Sequence, residues 1–218
     1  MEDTTIEDML KTVENSFAQK DYPGTLKILE ANKSQMSTGL WHYNMGTVHA
    51  KMENYPLARF HFLKAEAEGF NSKEVLTNRE LVERKLDIER SESSISTSDY
   101  LVKGGMTAAQ GILGMVSLFL IIAAIFSLWK RNSLKIFGVI LLPALILVGL
   151  NIWIKNWNRQ IVMTPQPIFE GPSAIFEARN EVPPGVMLVV VEKDGWLQII
   201  YPSRYQGWVK PEGMKELK

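Results

Sequence analysis

Two long runs without a charged side chain, residues 104–129 and 136–154, occupy the middle of this 218-residue chain. Only residues 130–135 separate them, and three of those six are basic: Lys130, Arg131 and Lys135. A bilayer's hydrocarbon core is about 30 Å thick and takes roughly 20 apolar helical residues to cross. Both runs meet that length, so the pattern predicts a transmembrane helical hairpin. A hairpin returns the chain to the face it left, which places residues 1–103 and 155–218 in one compartment. The competing reading is a buried helical hairpin away from any membrane. Three tryptophans at the segment ends, Trp129, Trp153 and Trp157, favour the lipid interface instead. The runs hold no ionisable residue, so no ion pathway is expected in them. Pro143 is expected to kink the second run, and Gly111, Gly114 and Gly149 are candidates for close helix packing.

Charge near the spans sets the expected side. The connecting loop has three basic residues, against Lys103 before the first run and Lys155 and Arg159 after the second. Basic loops stay cytoplasmic, so the flanking segments are expected outside, in the periplasm of a bacterial inner-membrane protein rather than in the cytoplasm. The first residues, MEDTTIEDML, are acidic and polar and show no export signal.

Lysine and arginine total 24, as do aspartate and glutamate. Zero net charge argues against nucleic acid as a partner. Cysteine is absent, which removes disulfides, thiolate catalysis and cysteine-rich zinc sites. His42, His49 and His61 are the only histidines, and without carboxylates at ligand spacing they read as packing or surface residues. No phosphate-binding glycine loop or paired-metal spacing is present either. No catalytic, cofactor or metal residue is therefore expected, and the chain does not read as an enzyme.

Residues 1–90 read as helices in a repeating pattern. Residues 9–20, Asp21-Tyr22-Pro23 and residues 24–31 are echoed by residues 40–52, Asn54-Tyr55-Pro56 and residues 57–68. Tyr22 and Tyr55 are 33 positions apart, a spacing typical of two-helix repeats. Gly46 supplies a small residue where two helices cross. Tyr55, Ala58, Phe62 and Ala65 follow on one helical face. These residues resemble the tetratricopeptide repeat, strongly in the second unit and weakly in the first, where Thr25 and Leu29 depart from the pattern. The resemblance implies a partner-binding groove, with Asn44 and Arg59 as groove-facing residues. Two repeats are fewer than such arrays need, so a neighbour is expected to complete the surface. Residues 72–92 read as a charged capping helix, and residues 91–103 as a flexible polar linker.

The texture changes at residue 161. A β-branched run at 186–191 follows Pro183-Pro184-Gly185. Lys193-Asp194-Gly195 reads as a tight turn. Residues 196–201 alternate, with Trp196, Gln198 and Ile200 against Leu197, Ile199 and Tyr201. The order Gly171-Pro172, Gly185, Asp194-Gly195-Trp196 and Gly207-Trp208-Val209 resembles a bacterial SH3-like domain over residues 161–218. That implies a small closed barrel, with glycines at turns and Trp196 and Trp208 adding apolar area.

The expected fold class is thus a multidomain membrane protein: an all-α tetratricopeptide-like domain (1–90), a linker (91–103), a transmembrane hairpin (104–129, 130–135, 136–154) and an all-β SH3-like barrel (161–218). This order of modules resembles the BatE proteins of the bacterial aerotolerance operon. The resemblance implies a scaffold in an envelope stress-resistance complex with von Willebrand factor A-domain Bat proteins and a MoxR-type ATPase. Relatives usually begin with an export signal, a departure here. Peptidoglycan is an alternative partner, through the SH3-like segment.

Overall fold

The computed structural model describes residues 6–93, 96–109, 111–129 and 134–217. The chain divides into two compact units. One is formed by residues 1–93 together with 159–218, and the other by residues 94–158.

In the first unit, helices α1 (Ile6–Ala18), α2 (Tyr22–Ala31), α3 (Thr38–Lys51), α4 (Tyr55–Ala67) and α5 (Lys73–Lys85) run as successive neighbours. A short helix, α6 (Ile88–Ser91), follows. The helix starts are written locally. The Asp21 carboxylate accepts from the Gly24 N–H at 2.9 Å, and Pro23 and Pro56 lie in the first turns of α2 and α4. Ser37 and Ser72 cap α3 and α5. Lys20 and Glu53 occupy matching positions between the paired helices, and both have left-handed backbone, φ 62° and 60°.

Apolar faces then join these helices. Met9, Leu29, Trp41, Met45 and Val48 form one buried cluster, and Ala58, Phe62, Ala65, Val75 and Val82 form another. Each large side chain so buried contributes about 1.5–3 kcal/mol. Gly46 sits at the crossing of α3 and α4, where an added Cβ would lie 2.8 Å from the Phe62 ring. Gly46→Ala is expected to cost about 1–3 kcal/mol through overpacking. A urea titration of the full chain checks this, and an unchanged midpoint would contradict the close crossing.

The sheet of the same unit comprises β1 (Asn158–Val162), β2 (Gln166–Phe169), β3 (Ala178–Val182), β4 (Met187–Lys193), β5 (Trp196–Tyr201), β6 (Trp208–Val209) and β7 (Met214–Glu216), in the order β3-β2-β6-β5-β4-β1-β7. Pairs β1–β7, β2–β3, β2–β6, β4–β5 and β5–β6 are antiparallel. Strand β5 shows the two-residue period directly. Leu197, Ile199 and Tyr201 are buried, while Trp196 and Gln198 are half-buried and Ile200 is exposed.

The expected fold class is corrected on three points. First, the helical and β segments are not separate domains. Ile88, with Leu86 beside it, belongs to the sheet's own core with Val162, Val186, Leu188 and Val209. Phe60 of α4 shares a second cluster with Ile161 and Leu217. A short sheet and a short helical array each bury too little surface alone, and joining their apolar faces removes more from water. Second, the sheet is open, running from edge β3 to edge β7, rather than a closed SH3-like barrel. Third, the two apolar runs are not two equivalent spanning helices. The second unit contains α7 (Thr97–Ala109), α8 (Ile112–Trp129) and α9 (Leu134–Lys155). Among the described residues, only the segment Ile136–Lys155 of α9 is by itself long and apolar enough to cross a membrane. Helices α7 and α8 pass only as a pair, bent by 64°. The first run therefore divides between two helices, and of the basic loop, residues 130–133 lie outside the described residues.

The second unit is patterned inside out. Its buried positions on α8 are small, Ser117, Ala124 and Ser127, and Ala144 is buried on α9. Many of its large apolar side chains are exposed, among them Phe119 (74%) and Val139 (72%), while Met106 of α7 and Ile154 at the end of α9 are buried. Gly111, Gly114 and Gly149 do not form the close packing expected of them, since a Cβ at each would meet nothing within 4 Å. Pro143 lies within α9.

Candidate functional site

The polar centre of the first unit is Arg59. It lies on the α4 face beside Ala58 and Phe62 and is 3% exposed. Its Nε donates to Glu83 Oε1 of α5 at 3.0 Å. Its Nη1 donates to Glu92 Oε1 at 2.6 Å and to the Gly185 carbonyl at 2.5 Å, and its Nη2 to Glu92 Oε2 at 3.2 Å. Glu92 Oε1 also accepts the Met187 N–H at 2.7 Å. Arg79 extends the network from Glu83 to Glu66. Burial disfavours the Arg59 charge, yet Glu92 and Glu83 more than offset it, so its pKa rises above the ordinary value. Burial pushes the Glu66 carboxyl up, against the pull of Arg79.

This network ties three pieces of chain that are distant in sequence. Arg59 belongs to the helices, Glu92 to the segment expected as a loose linker, and Gly185 and Met187 to the sheet. The Arg90 carbonyl and the Ser93 hydroxyl accept from Arg204 Nη1, the latter at 3.3 Å. Residues 88–93 are thus fixed to the sheet, and α7 begins at Thr97. Gly185 has φ 89°, and a Cβ there would meet Leu86 Cδ1 at 2.6 Å, so only glycine fits both backbone and contact.

The expected groove residues therefore separate. Arg59 is an internal ion-paired residue rather than a groove-facing one, while Asn44 is half-buried on α3. Tyr55, Ala58, Phe62 and Ala65 pack in the helical core. Trp196 and Trp208 are half-buried on the sheet, and Gly207, with φ 155°, brings its backbone close to Ile168 and the Phe169 carbonyl.

The histidines form a second buried cluster. His42 and His61 face each other through Nδ1 atoms 2.9 Å apart, so one ring donates and the other accepts. His49 stacks on His61 with centroids 5.4 Å apart. Burial first, then Lys64 and Lys33, push the His42 pKa down to about 4. Burial, the other two histidines, Lys215 and Lys33 push His61 down to about 2. His49 is lowered by burial and Lys215, with Glu30 opposing. Three neutral rings suit packing. Among the described residues no group of three His, Cys, Asp or Glu is arranged to hold a metal ion.

No protein-family profile, curated protein or solved structure matches this chain.

Proposed function

We propose that this chain is a non-catalytic, membrane-anchored scaffold for protein–protein interaction, held on the bilayer by residues 94–158. The observation that carries this reading is the assembly of residues before and after that insertion into one compact unit. A single folded body cannot straddle a lipid core, so the chain must re-emerge on the face where it entered. The inside-out patterning of α8 and of the middle of α9 supports lipid as their surroundings, because lipid-facing helices bury small residues and expose large apolar ones. On the sequence resemblance alone, the partners proposed are A-domain Bat proteins of an envelope stress-resistance complex on the periplasmic side of the bacterial inner membrane.

Two measurements test this. The natural chain lacks cysteine, so Lys73→Cys and Glu192→Cys each give a single labelling site, on α5 and β4. In intact and opened spheroplasts, an impermeant maleimide should label both variants alike. Labelling of one with protection of the other would sink the anchored-scaffold reading. Tagged full chain recovered in mild detergent should bring A-domain proteins with it, and their reproducible absence would remove the complex.

A further inference from the structure

One face of the sheet carries a row of half-buried and exposed residues. Cross-strand pairing aligns Ala178, Phe169, Trp208, Gln198 and Val191 across five strands. Trp196 flanks the row, edge-on to Phe169 with ring centroids 5.2 Å apart. Over part of this row opens a cleft of about 600 Å³, within the size range of small-molecule sites. Its lining residues include Trp208 and three residues with carboxamide side chains, Asn180, Gln198 and Gln206. Glu170 and Arg179, an ion pair, stand at one rim.

From this arrangement we propose that the cleft binds a short run of a saccharide chain. The chemistry selects that class in three steps. A carboxamide carries one acceptor and two donors, which match the paired hydroxyls of a sugar ring; Gln198 and Gln206 supply both kinds, while the Asn180 oxygen already accepts the Glu181 N–H at 2.8 Å and leaves its NH2 to donate. An indole beside them gives an apolar face for the ring's C–H patch. The alternatives fit less well. A polyanion needs several free cations, but of the two arginines lining the cleft Arg179 is neutralised by Glu170, and Arg204 spends its Nη1 on the Arg90 carbonyl and the Ser93 hydroxyl. An extended peptide adding to the sheet needs an open strand edge: β2, β6 and β5 are internal strands, while β3, which brings Arg179 and Asn180 to the cleft, is an edge, so peptide addition at β3 is the competing outcome that the test reads. The proposal is independent of the scaffold reading, since a saccharide site and a partner surface can fail separately.

The test uses the full chain in a detergent without a sugar headgroup. The probes are β-(1→4)-linked trimers of glucose and of N-acetylglucosamine. Binding is followed by tryptophan fluorescence and calorimetry. At least one trimer should bind saturably. Gln198→Leu should weaken it about tenfold, roughly what one or two neutral hydrogen bonds are worth, with the circular dichroism unchanged. Gln206→Ala, at an exposed position, gives a second reading that does not depend on the fold. Absence of saturable binding at millimolar concentration of both trimers would overturn the proposal. So would equal affinity in both variants, or capture of an extended peptide in the cleft with no saccharide response.

Discussion

Arg59→Ala is expected to destabilise the helix-and-sheet unit by about 3–5 kcal/mol, the usual cost of stranding a buried charge after removing its partner. The stranded group is Glu92, whose side chain is 11% exposed and which otherwise keeps only the Met187 N–H among the contacts described above. The Gly185 carbonyl also loses its donor. Hydrogen exchange of the full chain reads the effect where it should occur. Amides of α4, β4 and residues 88–93 should lose protection together, because Arg59 on α4 is bonded to Glu92 and to the Gly185 carbonyl, and Glu92 in turn holds the Met187 N–H that begins β4. Adding Glu92→Gln to Arg59→Ala should recover part of the loss, since the amide keeps an acceptor for Met187 without a buried charge. Raised salt should change the wild-type stability little, as buried pairs are poorly screened. A small loss confined to α4 would mean that Arg59 does not join the helices to the sheet.

Acid should unfold the same unit well before most carboxylates titrate. His42, His49 and His61 all have native pKa values below the ordinary 6.5. The unfolded chain therefore takes up protons that the native state refuses. Stability is full above pH 6.5 and falls as pH drops toward about 4, where His42 begins to accept its proton in the folded state. Each withheld proton is worth about 1.4 kcal/mol per pH unit in that window. The cluster's surroundings set the same direction. Lys33 and Lys64 approach from the helical segment and Lys215 from β7, with Glu30 opposing them at His49. Two protonated rings at His42 and His61 would also point N–H groups at each other across 2.9 Å. Urea midpoints at pH 7, 6 and 5 measure the slope, and His61→Phe should flatten it. A midpoint independent of pH over that range would show that the rings are not held neutral by burial.

The helical repeat was legible because its signals are local. Asp21-Tyr22-Pro23 and Asn54-Tyr55-Pro56 begin helices whatever surrounds them, and the alternation of β5 sorts its own faces. The candidate site was not legible in the same way. Glu92 sits in a serine-rich stretch that reads as a tether, and Gly185 in a turn after two prolines. Nothing in either stretch announces that both meet Arg59, which is 126 positions from Gly185 along the chain. The histidines were visible as residue types, but spacing along a helix does not reveal that His61 of α4 lies between His42 and His49 of α3.

What the sequence by itself determined is the capped helix starts at Tyr22 and Tyr55, the alternation of β5 and the apolar stretch between helices and sheet, since capping, periodicity and hydropathy act over a few residues; the linker expected at 91–103 instead runs into α7, which takes the start of the first apolar run. What only the tertiary structure decided is which elements share a core. The separation into a helical domain and a closed barrel failed at that point. The apolar edges of the array, Leu86, Ile88 and Phe60, are buried against the sheet, and the preference for removing them from water cannot be assigned to a partner until the chain is folded.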